Sequence, residues 1–314
     1  MNQVEWVRLD SLVPSEHVYR KIDALFPREL VLQGLNDLEQ GKGADGYGIM
    51  RLFKCLFLQF LEDLSDRELE RFLQENTCAK WFCGFGLCDS TPSFTLFGKV
   101  RNRIGTSRLS KLFSAIRDAL KAQGYMSEVF SFVYASHLIA KASLWKERDK
   151  AIADKVSKLN NESLPDVAYD KEARIGCKGK NKFWYGFKKH VSVDMKHGLI
   201  NKVAITPANA SDGSGFKRVC PDAGAVYADK GYCARSLTQQ ALAKGVHLRA
   251  IKKNNQKDKN RDFDRYVTRV RSPFESVFSK CNKRTRYRGV VKNQFTAFME
   301  AIVHNLKRLV VIGV

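Results

Sequence analysis

Apolar positions in the first third of the chain recur at three- and four-residue steps. Met50, Phe53, Leu56, Phe57, Phe60 and Leu61 fall on one face of a helix. Ser65, with Glu68 three residues on, forms a capping box that opens a helix bearing Leu69, Phe72 and Leu73. Thr91-Pro92 predicts another helix start, because proline in the first turn gives up no needed N–H. Leu109, Leu112, Phe113, Ile116 and Leu120 predict one more helix, stopping at Gly124. Residues 1–125 therefore read as an all-helical domain. After Pro92 come Lys99, Arg101, Arg103 and Arg108, which suit either a helix-turn-helix-like DNA reader or an ordinary solvated helix face.

The period changes near residue 128. Val129–Ala135 (VFSFVYA) is β-branched and aromatic, the pattern of a buried strand. Further strands are expected at His190–Val193, Leu199–Thr206, Ala225–Ala228 and His247–Ile251, with a hairpin turn at Lys196-His197-Gly198. Ser236–Lys244 reads as a helix, and Phe295, Phe298, Ile302, Leu306 and Leu309 mark a packed C-terminal one. Residues 141–181 and 252–262 are charged and poor in large apolar groups, and are expected as loops. The class is α/β: for residues 126–314, a mixed sheet with helices against its faces.

Charge sharpens that division. The 314 residues hold 54 Lys+Arg and 33 Asp+Glu, a net of +21. Residues 1–125 carry 17 and 16 of these, a net of +1, which leaves 37 and 17, a net of +20, for residues 126–314. A neutral front and a cationic back suggest that the second domain faces a polyanion. Nucleic acid suits this better than a membrane surface, since no basic amphipathic helix is evident. No stretch approaches the roughly 20 apolar residues that span a bilayer, and the start shows no signal core, so a cytoplasmic protein is expected. The eight scattered cysteines then read as reduced core thiols rather than a disulfide framework.

Chemistry on a nucleic-acid phosphodiester needs carboxylates on rigid elements that hold divalent metal beside the phosphate. Asp229 ends the apolar run Ala225–Ala228 and precedes Lys230-Gly231-Tyr232, a carboxylate at a strand terminus; the same residues suit an Asp that merely caps the turn. Glu275 sits in RSPFESVF near an expected helix start, where a helix-dipole role is the plain alternative. Asp194 and Asp212 read as a turn acid and a helix N-cap. In KGKNKFWYGFKK, Lys178, Lys180, Lys182, Lys188 and Lys189 alternate with aromatics, lysines suiting phosphates and rings suiting bases or the core. Arg284, Arg286, Arg288 and Lys292 form a second basic patch. His137 and His190 read first as core or surface histidines. Cys78, Cys83 and Cys88 lack the tight pairs of a zinc site. No glycine-rich phosphate loop points to nucleotide hydrolysis.

The blocks FVYASHLIAKASLW from Phe132, GCKGKNKFWYGFKKHVSVDMKHGLI from Gly176, ITPANASD from Ile205, AVYADKGY from Ala225 and RSPFESVFSKCNKRTRYRGVVKNQF from Arg271 resemble bacterial insertion-sequence transposases of the DDE class, in the insertion sequence 5 family. The resemblance extends to the helical front half. It implies a ribonuclease-H-like catalytic core behind a helical domain for DNA recognition and assembly. It also implies an Asp, Asp, Glu triad binding two Mg²⁺ (or Mn²⁺) ions, double-stranded DNA as partner (element ends and target), a dimer or higher on DNA, and a nucleoid location. Asp229 and Glu275 match the second and third acids. The first does not match: where the family block reads VDASH, this chain has Val133-Tyr134-Ala135-Ser136-His137. Thr268 and Asn282 also replace the Tyr and Lys of the family's spacing around the Glu. A phenol, with an ordinary pKa of about 10, offers magnesium no anionic oxygen near neutral pH. The expectation is a transposase impaired by Tyr134, or a non-catalytic DNA-binding descendant of one; a general basic nucleic-acid binder leaves the ordered blocks unexplained.

Overall fold

The computed structural model describes residues 6–38, 46–140, 161–162, 168–178, 182–252, 259–279 and 283–314, the side chains of Lys182, Arg271 and residues 273–279 excepted. It divides into two compact units, residues 1–118 with 299–314, and residues 119–298. The expected division fell at 125/126; here the end of the chain groups with the first unit.

The first unit is helical: α1 (Val18–Ala24), α2 (Arg28–Leu35), α3 (Ile49–Leu61), α4 (Asp66–Glu75), α5 (Thr77–Cys83) and most of α6 (Phe94–Ala122). Phe53, Leu56 and Phe57 of α3 are fully buried, as an almost wholly apolar helix requires. The ring of Phe26 lies 5.3 Å from that of Phe57 and 5.9 Å from that of Phe82, edge to face. Lys54 is buried beside them, its Nζ 2.6 Å from Asp23 Oδ1 and 3.0 Å from the Phe82 carbonyl. Such a lysine is tolerated because its charge is paired. The capping box of α4 is present, with both reciprocal bonds between Ser65 and Glu68.

Gly105, at φ 66°, breaks α6 into two helical stretches. Three cations near that break are engaged within the unit. Arg101 grips Asp66 with both terminal nitrogens, at 2.7 and 2.5 Å. Arg103 donates to the Leu38 carbonyl and Arg108 to Asp37. Lys99, the fourth cation of the cluster, is exposed. Nor are all the cysteines core thiols: Cys55, Cys83 and Cys220 are buried, whereas Cys88 and Cys177 are exposed.

The second unit is a mixed α/β fold around a six-stranded sheet. Its strands are β1 (Phe130–Ile139), β2 (Arg174–Lys178), β3 (Lys182–Asp194), β4 (Ile200–Pro207), β5 (Gly224–Ala228) and β6 (Val246–Ala250). β1, β5 and β6 run parallel in that spatial order, while β3 pairs antiparallel with β1, β2 and β4. Helices α7 (Asp212–Val219) and α8 (Arg235–Leu242) connect β4 to β5 and β5 to β6. They cover one face, where Phe216, Val219, Leu237 and Ala241 pack with Val133, Val226 and Val246. Helix α9 (Arg261–Ser279) packs against β1 and β5, and Val267 meets Tyr227 and Ile251 there. Strand alternation assigns Tyr227 to the face opposite Val226.

Several boundaries differ from expectation: β2 falls within residues 141–181, expected as loop, and β3 begins at Lys182 rather than at His190. β1 runs on past Ala135 because Ile139 exchanges backbone bonds with Lys283 and Thr285, at 2.7 and 2.8 Å. α9 begins at Arg261 rather than near residue 271, with the Asn260 side chain accepting from the N–H groups of Asp262 and Phe263, both at 3.0 Å. Its apolar face of Phe263, Val267 and Val270 holds the chain helical past Pro273. Helix α10 (Val290–Ile312) closes the chain.

Gly186 is where β3 meets strands through both Ile139 and Arg174. Its φ is 149°, and a Cβ there would lie 2.1 Å from the Leu138 carbonyl oxygen. Gly186→Ala is expected to destabilise the protein by about 2 kcal/mol or more. Urea unfolding measures this; an unchanged midpoint would contradict the tight crossing.

Candidate functional site

The parallel pairing of β1 with β5 sets the geometry. Val133 lies opposite Ala228, so the next residues along the two strands, Tyr134 and Asp229, are neighbours. Val133 and Ala228 belong to the core under α7 and α8. Alternation therefore sends Tyr134 and Asp229 toward the face that α9 covers. Both line one pocket, with His137, Lys178, Lys188 and Asp212. Tyr232 completes its wall. Asp229 also caps the following turn, its Oδ1 accepting from Lys230 N at 2.7 Å, so the turn-cap reading and the pocket reading both describe it.

Asp212 is the first residue of α7; the N-cap is Ser211, whose hydroxyl accepts from Ser214 N at 3.2 Å. Its carboxylate is left to face the pocket. Lys188 Nζ lies 2.8 Å from Asp212 Oδ1 and 2.8 Å from the Ala210 carbonyl. Asp212 Oδ2 rests on the turn after Asp229, where a Cβ on Gly231 would come within 2.3 Å of it. Sequence reasoning missed this place for Asp212 and missed Tyr232 altogether; an aromatic three residues past Asp229, following a glycine, was the available signal. Tyr232 is 1% exposed, its ring 5.9 Å from that of Phe216. Its hydroxyl is buried with no hydrogen-bond partner among the described residues. Burial pushes this phenol well above its ordinary pKa, and Asp212, Asp229 and Tyr134 push the same way.

Asp194 is not among the residues that line the pocket. It sits opposite Ser131, near the start of β1, fully buried. It accepts from the backbone of Ser127, Lys196 and His197, at 3.2, 3.0 and 2.7 Å. It is the turn acid that the sequence suggested. Glu275 lies on α9, and its side chain is outside the described residues.

The basic candidates divide. Lys178 is exposed at the pocket, whereas Lys188 is tied to Asp212. Lys189 is 3% exposed, because it alternates with Lys188 onto the opposite side of β3; burial withdraws it from the phosphate-contact set. Lys180 and the Lys182 side chain lie outside the described residues. Arg284 is exposed and bridged to Ile139, Arg286 is half-buried, and Lys292 is exposed on α10. Arg288 lies over the ring of Tyr169 and donates to its hydroxyl. Of the aromatics, Phe187 is core, while Trp184 and Tyr185 are half-buried and donate to the Phe187 and Asp170 carbonyls at 3.1 and 2.6 Å. Phe183 stands 64% exposed.

Lys283, not singled out from the sequence, and Lys178 depress the pKa of His137, beneath the larger effect of partial burial. His190 is a core histidine. Its Nε2 lies 2.9 Å from Thr206 Oγ1, and its ring fills the space beside Gly215, where a Cβ would lie 2.2 Å away.

The strand-end pocket thus brings carboxylates and lysines together beside a basic strand. Residues 7–103 match the Transposase domain (DUF772), and residues 165–288 match the Transposase DDE domain. The two matches indicate a DDE-type transposase. The second spans Asp229 and Glu275 and begins after β1. Among solved structures, the chain is similar to the cryo-EM structure of a piggyBac transposase synaptic complex with hairpin DNA, at 9% identity and a TM-score of 0.41, over 97% of this chain and 75% of that one; a likeness that slight carries no argument. No helix among the described residues is long and apolar enough to cross a membrane.

Burial lowers the pKa of His190 to about 4, against an opposing pull from Asp212. In the unfolded chain a histidine titrates near 6.5, so as pH falls the unfolded state takes up the proton first. The stabilisation is complete above about pH 6.5 and is lost as pH falls through about 4, at most about 3 kcal/mol. Urea unfolding across that window is expected to show a smaller loss for His190→Asn than for the wild type; equal losses would contradict the assignment.

Proposed function

We propose that this chain is an insertion-element transposase of the insertion sequence 5 family, bound to double-stranded DNA, and that it is impaired by Tyr134. Its second unit is read as a ribonuclease-H-like core. The support is the spatial order β4-β3-β1-β5-β6, in which β3 alone runs antiparallel. One observation carries the reading: the β1–β5 register puts position 134 beside Asp229, where a first and second acid would share a cation.

The fit to divalent metal is partial. Asp229 brings a carboxylate to the pocket and Tyr134 a phenol, and no group of three or more His, Cys, Asp or Glu able to hold a metal comes together among the described residues. The location of Glu275 on the helix that packs against β1 and β5 suits the third ligand. Bound Mg²⁺ or Mn²⁺ would supply activation of the attacking oxygen and stabilisation of the leaving one, in phosphodiester hydrolysis and in transfer of the freed 3′-hydroxyl to a target strand. The chain's own contribution is to hold the DNA. Lys178, Lys180, Lys182, Arg284, Arg286, Arg288 and Lys292 are read as phosphate contacts, and Lys188 joins them when it leaves Asp212. The N-terminal domain (residues 1–125) is assigned to terminal-repeat recognition and assembly, the catalytic domain to residues 126–314. A homodimer on DNA follows from the need to hold two ends, and a nucleoid location from the DNA.

The second reading is a non-catalytic DNA-binding protein derived from a transposase, which Tyr134 itself favours. Tyr134→Asp separates the two. Under the first reading the variant gains Mg²⁺-dependent cleavage of a duplex made from the DNA flanking the coding region, by about a hundredfold or more over the unmodified chain. Cleavage that stays absent supports the second reading; an unmodified chain that cuts as fast as the variant contradicts impairment. In either case DNA affinity falls steeply with added salt.

A further inference from the structure

A hydroxyl buried without a partner is costly, and the described residues offer Tyr232 none. Its ring is anchored against Phe216 in the core under α7. The residue lines the pocket, with Asp212, Asp229 and Tyr134 close enough to act on its ionisation. Asp212 does not accept its proton in this arrangement: the hydroxyl has no hydrogen-bond partner among the described residues, and Asp212 Oδ1 takes the Lys188 ammonium. What is missing is an acceptor entering from the pocket. Lys178, exposed at the pocket, and Lys188 bring positive charge there, beside the carboxylates of Asp212 and Asp229.

We infer that Tyr232 is a substrate contact, its hydroxyl donating a hydrogen bond to a non-bridging oxygen of a DNA phosphodiester seated in the pocket beside Asp229. This rests on the DNA-binding reading above and names a residue and an atom for it. The buried donor is thus idle in the free protein and satisfied in the complex.

Tyr232→Phe removes the oxygen and keeps the ring, so the fold is preserved. Two readings on the full chain test the inference: the melting temperature without DNA, and the affinity for a fluorescein-labelled duplex made from the DNA flanking the coding region. Loss of an unsatisfied hydroxyl is expected to raise the melting temperature by about 2 °C, while affinity falls about fivefold. A lowered melting temperature means that the hydroxyl already has a structural partner, and overturns the inference. Unchanged affinity overturns it as well, provided that Lys178→Ala with Arg284→Ala does weaken binding. If the unmodified chain shows no salt-sensitive affinity for the duplex, the DNA-binding reading fails and takes this inference with it.

Discussion

The parallel pairing of β1 with β5 is the constraint on which the rest of the second unit depends. A parallel ladder cannot be closed by a short turn. The chain between these strands must leave the sheet and return, and here it builds β2, β3, β4 and α7 on the way. Once Val133 lies opposite Ala228, the residues after them are neighbours whatever their chemistry. A slip of one residue would exchange the two faces of the strand, burying Tyr134 under α7 and α8 and turning Val133 outward. The apolar contacts of Val133 with the α7–α8 core therefore fix the place of Tyr134.

Under the proposed reading, function and folding are separable at position 134. The backbone there is held by Val191 of β3, and a phenol or a carboxylate can occupy the same half-buried place. On that proposed reading, a copy without its first acid keeps its sheet and the lysines that line the pocket. The residues that remain in the pocket are bound to one another: Lys188 to Asp212, and Asp212 against the turn of Asp229. That arrangement keeps opposite charges paired in a partly buried place.

Much of this was legible in the sequence because the signals were local. The capping box at Ser65, the strand ending at Ala228 and the turn acid Asp194 each follow from neighbours within a few residues. Asp229 was legible because a carboxylate at the end of an apolar strand is conspicuous. What was not legible depends on distant partners. Lys189 looks like its neighbour Lys188 until strand alternation buries it. Arg101 and Arg108 are paired with Asp66 and Asp37, acids from other parts of the chain that no local pattern shows. Asp212 reads as a cap until β5 brings Gly231 against it. α9 starts ten residues before the expected place, because its apolar face is defined by Tyr227 and Ile251 and not by its own charged sequence.

The most direct test is crystallographic. Crystals of the Tyr134→Asp protein soaked in Mn²⁺ would show by anomalous scattering where the cation binds. The account predicts a peak between the carboxylates at positions 134 and 229, within ordinary oxygen-ligand distance of both, and no such peak in the unmodified protein. A cation bound elsewhere on the chain, or carboxylates at 134 and 229 that do not share one, would contradict it.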